Sequence, residues 1–414
     1  MPISLNISIV LVVFMGMASG GMLALMLMAA RRQQLTFSIA LALSIVLALS
    51  GLVSASALAQ NTVSGLVNAG MLLILSFALG YTLTTFSVLS SRKQTVPIAP
   101  SEAQGRKTAV ICLARGEPPE YDTGSAAAQI ELAGGEGAGE IPPVLLRPFH
   151  MRRLKGKYAS IGRSPYREYM VELSEKVQAR LEGSYRVYPA FSADHPSLAE
   201  AVRQAVEDGA SSTLVAHIRV TDPPESAKSD GVLEGMDREA LALRLVHLDP
   251  LWESDLLPQI YVRRVLEAVP HVDIEGEGVG LLLVGHGYST ATEAGSARHE
   301  QEHHLQRKVQ RALLRLGFDE SRVAVGWLHE TPTIGEALLA LRHAGCKSIY
   351  WIPFSFPADG ITTLHDIPNL INSTATSVGL RFVPLGGWNA DDLAAEEIAG
   401  RVRAAYRVPA GRAL

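Results

Sequence analysis

The chain has 414 residues, too long for one ordinary domain, and its charge is unevenly divided. Residues 1–90 contain no Asp, Glu or Lys, and their only charged residues are Arg31 and Arg32. The rest carries 35 basic and 41 acidic residues, a net charge of −6, so nothing suggests nucleic-acid binding. The only two cysteines, Cys112 and Cys346, exclude a four-cysteine metal site within one chain and are predicted to be buried thiols.

Three apolar stretches open the chain: Ile7–Ala30, Leu35–Ala59 and Val63–Leu89. Each is long enough to span a bilayer, which takes about 20 residues of helix. A cleavable signal peptide is the alternative for the first stretch. It is disfavoured because no positive residue precedes the apolar run and two further spans follow. The sequence therefore predicts a membrane anchor of three transmembrane helices in residues 1–93.

Basic residues set the expected orientation of this anchor. Arg31 and Arg32 separate the first two stretches, Arg92 and Lys93 follow the third, and the connection after the second has no charge. Because basic residues favour the cytoplasmic side, we expect the N-terminus outside and the large C-terminal part in the cytoplasm. Residues 94–106 are predicted to be a polar linker.

The C-terminal part alternates short apolar strands with helical patterns, which predicts an α/β fold with parallel, doubly wound sheets. The series starts twice, so we predict two Rossmann-like halves, residues 107–277 and 278–414. Ligands of such sheets bind at the carboxyl ends of the strands. Within the first half, the Gly- and Ala-rich segment Tyr121–Pro143 is interpreted as a mobile loop or lid, or as a surface insertion without function.

The stretch "LLLVGHGYST" ends a predicted strand in Gly-His-Gly, where a doubly wound sheet exposes its chemistry. Flanking glycines allow a tight turn around His286. A neutral imidazole can accept a proton or bind a metal ion. The alternative is a polar residue in a turn.

The stretch "HEQEH" matches a zinc signature, with His299 and His303 four residues apart. The apolar stripe of that helix runs through Leu305 and Val309, which predicts a solvated face for His303. We therefore reject a catalytic zinc helix and leave only a loose metal contact open, through His303 and His304.

The stretch "PFSFPADGITTLHDIP" ends another strand and starts a helix. Thr362 and His365 are three residues apart and Asp366 is four from Thr362, so helical spacing predicts that they share a face. A capped helix with solvated polar residues is the alternative.

Four segments, in order, resemble one known family: "KYASIGRSPYREYM", "ADHPSLAEAV", "LLLVGHGYST" and "KSIYWIPFSFPADGITTLHDI". From Lys107 to near Leu385 the chain is similar to the class II chelatases, most closely to ferrochelatase. These enzymes insert a divalent metal into a tetrapyrrole without ATP. The resemblance implies two Rossmann-like halves with a porphyrin cleft between them.

The resemblance also implies residue roles. His286 falls on the metal-binding and proton-accepting histidine, and Asp366 on the second family acid. Gly360 stands where the family has a histidine, and Thr362 where it has a metal-facing glutamate. Arg115 falls on a position that faces the porphyrin.

Ser164 and Pro165, in the "IGRSP" segment, are expected to bind substrate together with Arg115, Gly360 and Thr362. The i, i+3 spacing, and not the resemblance, motivates a further hypothesis. His365, one turn beyond Thr362, is predicted to replace the missing metal ligand, with Asp366 as the catalytic acid. The segment "GITTLHDIP" is also similar to a pattern of the sirohydrochlorin chelatases.

Three functions remain open. The first is a membrane-anchored chelatase that inserts Fe²⁺ or another divalent metal into a porphyrin, with the metal as substrate and no tightly bound cofactor. The second is a tetrapyrrole-binding carrier, sensor or assembly factor without insertion activity, and the third is a sirohydrochlorin-type chelatase. Expected partners are the tetrapyrrole, the lipid bilayer and a membrane protein that contacts small residues such as Gly16–Gly21.

Overall fold

The computed structural model describes residues 3–58, 62–90, 108–135, 142–181, 183–210, 212–222, 244–269, 278–288, 290–291, 293–375 and 379–407. The chain forms two compact units. One contains residues 1–94, 121–130 and 141–157, and the other contains the remainder. The predicted linker, residues 94–106, lies outside the described residues.

The first unit is built on three long apolar helices, α1 (Ile3–Met28), α2 (Arg31–Leu58) and α3 (Thr62–Ser90). All three are long and apolar enough to cross a membrane, which confirms three long apolar helices at the predicted positions. That they span a membrane stays a prediction. Their candidate spans are Ile7–Met28, Arg31–Ala55 and Val67–Ser90.

Polar side chains from later in the chain cap the C-terminal end of α1. The Tyr121 hydroxyl and Thr123 Oγ1 donate to the Met28 carbonyl at 2.7 and 2.9 Å, and Lys155 Nζ donates to the Ala29 carbonyl at 3.0 Å. A helix end leaves its last carbonyls without intrahelical partners and favours a cation. These contacts therefore stabilise the end of the first apolar helix.

Helix α4 (Thr123–Gly135) replaces most of the loop predicted for Tyr121–Pro143, so that prediction was wrong for this part. The Ser125 N–H donates to Asp122 Oδ2 at 2.7 Å where the helix begins, and alanine has the highest helix propensity. The glycines at the end of the segment favoured the prediction of a loop, so the helix was not recognised from the sequence pattern. Residues 136–141 lie outside the described part of the chain.

Two four-stranded parallel sheets form the second unit, which confirms the predicted doubly wound α/β class. Their strand orders are β2-β1-β3-β4 and β6-β5-β7-β8, so β1 and β5 each lie between two neighbours. The strands are β1 (Thr108–Ala114), β2 (Tyr185–Phe191), β3 (Ser212–His217), β4 (Arg244–Leu248), β5 (Val279–Gly285), β6 (Val323–Trp327), β7 (Ser348–Ile352) and β8 (Arg381–Pro384).

Helix α5 (Arg147–Ile161) begins in the first unit. The remaining helices accompany the sheets and are α6 (Tyr166–Arg180), α7 (Leu198–Glu207), α8 (Leu257–Ala268), α9 (Glu293–Leu314), α10 (Ile334–His343), α11 (Ile367–Ala375) and α12 (Asp392–Arg407). The last helix, α12, contacts α6, β3 and β4 of the first sheet. The chain thus returns to its first sheet at the end, and the domain boundaries drawn from the sequence stay predictions.

Both cysteines are buried, as predicted: Cys112 on β1 and Cys346 before β7. Strands β1 and β5 are buried along their whole length. Buried residues pack on both faces of each sheet. Continuous apolar runs such as Leu281–Val284 are therefore central strands, and polar chemistry is confined to the loops that follow them.

Candidate active site

His286 directly follows β5, at the carboxyl end of the central strand of the second sheet. Its backbone N–H donates to Glu302 Oε1 at 2.7 Å and lies 3.1 Å from Ser355 Oγ, a second acceptor. The Gly287 N–H donates to Glu302 Oε2 at 3.0 Å. One carboxylate on α9 therefore fixes the backbone of the turn that carries the histidine.

The His286 ring has a defined tautomer. Its Nδ1 lies 2.9 Å from the Gly287 carbonyl oxygen, and because a carbonyl only accepts, Nδ1 carries the hydrogen. The lone pair is then on Nε2. The rings of Tyr288, His329 and Phe356 surround the imidazole at centroid distances of 4.8, 4.9 and 6.4 Å.

The two glycines that flank His286 are required for different reasons. A Cβ on Gly285 would lie 2.2 Å from the Trp327 ring, so only glycine allows this tryptophan to pack on the strand end. Gly287 has a φ of +77°, and a Cβ there would lie 2.8 Å from the Glu330 Cβ. The predicted role in tight turning thus applies to Gly287, while Gly285 makes room for a side chain.

Glu302 is a candidate site residue that the sequence did not reveal. Its side chain is fully buried, and burial raises its pKa to about 7, although the N–H groups of His286 and Gly287 favour the charged form. It shares the helix face of Leu305 and Val309. A glutamate within that apolar stripe was the available signal, because buried carboxylates need dedicated partners.

The prediction that His303 lies on a solvated face of α9 is wrong. Its side chain is 23 % exposed, its ring lies 4.4 Å from that of Trp327, and its Nε2 lies 3.1 Å from Glu330 Oε1. The chain after β6 covers this face of α9, which the helix periodicity alone does not show. His304 lies against Trp252, at a ring distance of 5.0 Å.

The segment Thr362–Asp366 forms a π turn, not the α-helical turn assumed from the sequence. A π turn holds more residues than an α turn. Thr362 and His365 therefore do not share a face as closely as predicted. Asp366, four residues from Thr362, lies closer to the face of Thr362 than His365 does. His365 Nδ1 lies 2.9 Å from Asp366 Oδ1, and its Nε2 lies 3.1 Å from the Asn369 amide nitrogen. Both ring nitrogens therefore have local partners, and the metal role of His365 stays a prediction.

Glu117 is a second candidate site residue that the sequence did not reveal. It lies in the loop after β1, and its Oε1 accepts hydrogen bonds from the Ser164 hydroxyl and, at 2.9 Å, from the Ile361 N–H. A Cβ on Gly360 would lie 2.8 Å from Glu117 Oε2. A carboxylate from the first half thus occupies the space beside the position where the family histidine was expected.

Burial, hydrogen bonds and charged neighbours determine the pKa of the Glu117 carboxyl. Burial raises the pKa of its carboxyl, the Ser164 and Ile361 hydrogen bonds and the Arg115 guanidinium oppose the rise, and the Asp366 carboxylate adds to it. Arg115, Ser164, Gly360 and Asp366, four of the predicted site residues, are therefore neighbours of this one acid. Pro165 directly precedes α6. Ser164 is fully buried and bonded to Glu117, which fits a positioning role better than direct contact with substrate.

This pKa shift predicts a pH dependence of stability. Because the folded state binds the Glu117 proton more tightly than the unfolded state, its contribution is fully present below the ordinary pKa of about 4.5 and is lost as pH rises through the folded pKa. Glu117→Gln retains an oxygen that can accept both hydrogen bonds. We expect the unfolding free energy of the wild type to fall relative to this variant between pH 4 and 8.

Tryptophan fluorescence during denaturation of the full chain measures this difference, since all four tryptophans follow residue 250. Glu267→Gln, an exposed carboxyl on α8, controls for the loss of one negative charge. If the difference in unfolding free energy between the wild type and Glu117→Gln did not change with pH, as expected for the control, the raised pKa of Glu117 would be contradicted.

Two parallel sheets, with a histidine turn after β5 and a π turn after the neighbouring strand β7, form a chelatase-like α/β fold. The chain belongs to the ferrochelatase family: the family model described as Ferrochelatase matches residues 139–406. Members of this family are metal chelatases of tetrapyrrole biosynthesis, and this chain is an enzyme of that class.

Individual relatives agree over most of their own length. The ferrochelatase of Thermus thermophilus is 24 % identical over 273 residues, which cover 58 % of this chain and 84 % of the relative. That of Geobacter sp. (strain M21) is 23 % identical over 323 residues, covering 73 % and 99 %. The ferrochelatase of Synechococcus sp. is 27 % identical over 262 residues, covering 59 % and 75 %.

Solved structures are more distant. The sirohydrochlorin chelatase SirB from Bacillus subtilis subspecies spizizenii in complex with cobalt has a TM-score of 0.45 at 12 % identity, covering 74 % of this chain and 98 % of that one. SirB from Bacillus subtilis with Fe³⁺ also has a TM-score of 0.45, at 13 % identity, covering 72 % and 94 %.

Proposed function

We propose that this protein inserts Fe²⁺ into a porphyrin without ATP, at a membrane surface. The observation that carries the proposal is the His286 tautomer, with its hydrogen on Nδ1 and its lone pair on Nε2, the atom that would accept a pyrrole proton or hold the metal. The family match supports metal insertion as the reaction class. Insertion itself needs no phosphate donor, because the metal replaces two protons of the ring.

The second step of the proposal concerns those two protons. His286 takes one at Nε2. Thr362 cannot accept the other at neutral pH, and we assign that task to the neighbouring carboxyls of Asp366 and Glu117. Burial raises the pKa of Glu117, which makes it a stronger proton acceptor than an ordinary carboxylate.

The loop after β7 connects these groups. Ser355, near its start, lies 3.1 Å from the His286 backbone nitrogen, and Ile361, at its end, donates to Glu117. One short segment of chain therefore contacts both proton-accepting regions. This supports their placement in a single active site.

The three apolar helices support the membrane location. We propose that the end of α1, the α1–α2 connection and the chelatase part lie on the cytoplasmic side, with the N-terminus outside. The contacts of Tyr121, Thr123 and Lys155 with the end of α1 support this arrangement. Anchoring would keep the enzyme beside a lipid-soluble porphyrin, and the apolar helices also offer surface to a membrane partner.

An insertion assay with the full chain in detergent tests the function. Under anaerobic conditions with Fe²⁺ and a dicarboxylate porphyrin, we expect the free-base absorption and fluorescence to disappear in proportion to enzyme, with no effect of ATP. Sirohydrochlorin and Co²⁺, supplied in parallel, test the alternative substrates. Porphyrin binding seen as a Soret shift, with no insertion of either metal, would sink the enzyme proposal.

A tetrapyrrole-binding protein without insertion activity is the second candidate. The observations that favour it are Thr362 in place of a carboxylate and a His365 ring whose two nitrogens are already bonded to Asp366 and Asn369. His365→Ala separates the two functions further. An unchanged insertion rate in this variant would remove His365 from the catalytic residues.

A further inference from the structure

A second group of metal-ligand side chains lies beside the His286 turn. His299 and His303 on α9 have ring centroids 4.1 Å apart. Glu330, in the loop after β6, places Oε2 3.2 Å from His299 Nδ1 and Oε1 3.1 Å from His303 Nε2. One donor atom from each of the three residues lies within 4.8 Å of the other two. Three donors from two elements therefore converge on one point.

The donor set has a definite chemistry. Two histidines four residues apart on a helix can bind one ion together, as in the zinc signature that the sequence matched. Two imidazoles and one carboxylate are the ligands of catalytic zinc and of non-haem Fe²⁺ sites, which keep open positions. A structural zinc site would use four protein ligands. The three donors are therefore suited to an exchangeable metal ion and not to a structural one.

One donor atom of the cluster is left without a well-formed hydrogen bond. His299 Nδ1 is buried and makes no hydrogen bond of normal geometry within the described residues, although Glu330 Oε2 is 3.2 Å away. A buried polar atom in this state requires an explanation. A cation between the imidazole and the carboxylate would satisfy both.

A cavity borders both this cluster and two residues that lie against the His286 ring. It has a volume of about 650 Å³, and its lining includes His299, Glu330, His329 and Tyr288. The rings of His329 and Tyr288 lie 4.9 and 4.8 Å from that of His286. The same cavity wall therefore borders the cluster and the residues that surround the proposed catalytic imidazole.

We propose that His299, His303 and Glu330 form an uptake site for the divalent metal substrate, from which the metal passes through the cavity to His286. The site takes the ion before a tetrapyrrole is needed. This role rests on the proposed function, but binding by the cluster does not. The two can therefore be tested separately.

Co²⁺ binding to the full chain in detergent, without a tetrapyrrole, tests the site. The titration uses a His286→Ala background, so that His286 does not contribute, and follows the visible absorption of bound Co²⁺. We expect saturable binding, and a Kd raised about tenfold or more by His299→Gln or His303→Gln. His343→Gln, an exposed histidine at the end of α10, should leave the Kd unchanged. Equal Kd values in all variants would overturn the site.

Insertion kinetics test the uptake role. With His286 intact, His299→Gln should raise the KM for the metal while kcat and the KM for the porphyrin change little. A raised Kd for Co²⁺ with an unaltered metal KM would overturn uptake, because the metal would then reach His286 by another route. If the wild type inserts no metal, the proposed function fails, and the Co²⁺ titration still decides whether the site exists. Thermal unfolding followed by tryptophan fluorescence checks that each variant is folded.

Discussion

Replacing His286 by alanine is expected to reduce metal insertion by roughly a hundredfold or more, within the range by which a positioned acid or base contributes to a rate. The variant loses the Nε2 lone pair that accepts the pyrrole proton. Its fold should be retained, because the hydrogen bonds that fix the turn come from backbone groups and Glu302. The initial rate of porphyrin consumption with saturating Fe²⁺ is the measurement.

His343→Ala is the matched control, since this histidine is exposed at the end of α10. Its insertion rate should equal that of the wild type. If His286→Ala retained the wild-type rate while remaining folded, His286 would not be the proton acceptor. Porphyrin binding by this variant, measured as a Soret shift, shows whether the loss lies in chemistry or in binding.

Replacing Glu302 by glutamine should lower both stability and insertion. Each carboxylate oxygen accepts a backbone N–H, from His286 and from Gly287, whereas an amide offers one oxygen and one N–H group. One buried donor would then face another donor, which costs about 1–3 kcal/mol of unfolding free energy. The turn would shift, so we expect insertion to fall more than stability alone explains.

Denaturation followed by tryptophan fluorescence and the insertion rate, both on the full chain, measure these effects. Glu300→Gln is the control, because Glu300 lies on the same helix but is exposed, and it should change neither quantity. A Glu302→Gln protein with wild-type stability and rate would show that this carboxylate does not hold the turn.

Local sequence patterns predict the positions of the strands and the His286 turn, because a buried parallel strand is a continuous apolar run that ends in glycine. The three apolar helices are predicted for the same reason, since a membrane span depends on length and composition alone. By contrast, β4 and α12 were not identified. Strand β4 has only five residues, and α12 mixes apolar and charged residues along its length, so neither gives a strong local pattern.

The partners of the candidate site could not be read from the sequence. Glu117 and Ile361 are far apart along the chain and meet only after both sheets have formed. Glu302 looked like one more charge in a charged helix, and its burial depends on the turn that it binds. The π turn at Thr362–Asp366 also changed the expected spacing, because a hydrogen-bond pattern cannot be inferred from side-chain types. Contacts between residues that are distant in sequence therefore could not be predicted, because they form only in the tertiary structure.

The cap on the first apolar helix has a practical consequence for making this protein. Lys155 is buried, and with Tyr121 and Thr123 it takes its acceptors from backbone carbonyls at the end of α1. Removing the apolar helices to obtain a soluble fragment would leave an ammonium group and two hydroxyls without those acceptors, next to newly exposed apolar surface. Detergent or nanodisc preparations of the whole chain are consequently the proper starting material, and poor behaviour of a shortened fragment would say little about its chemistry.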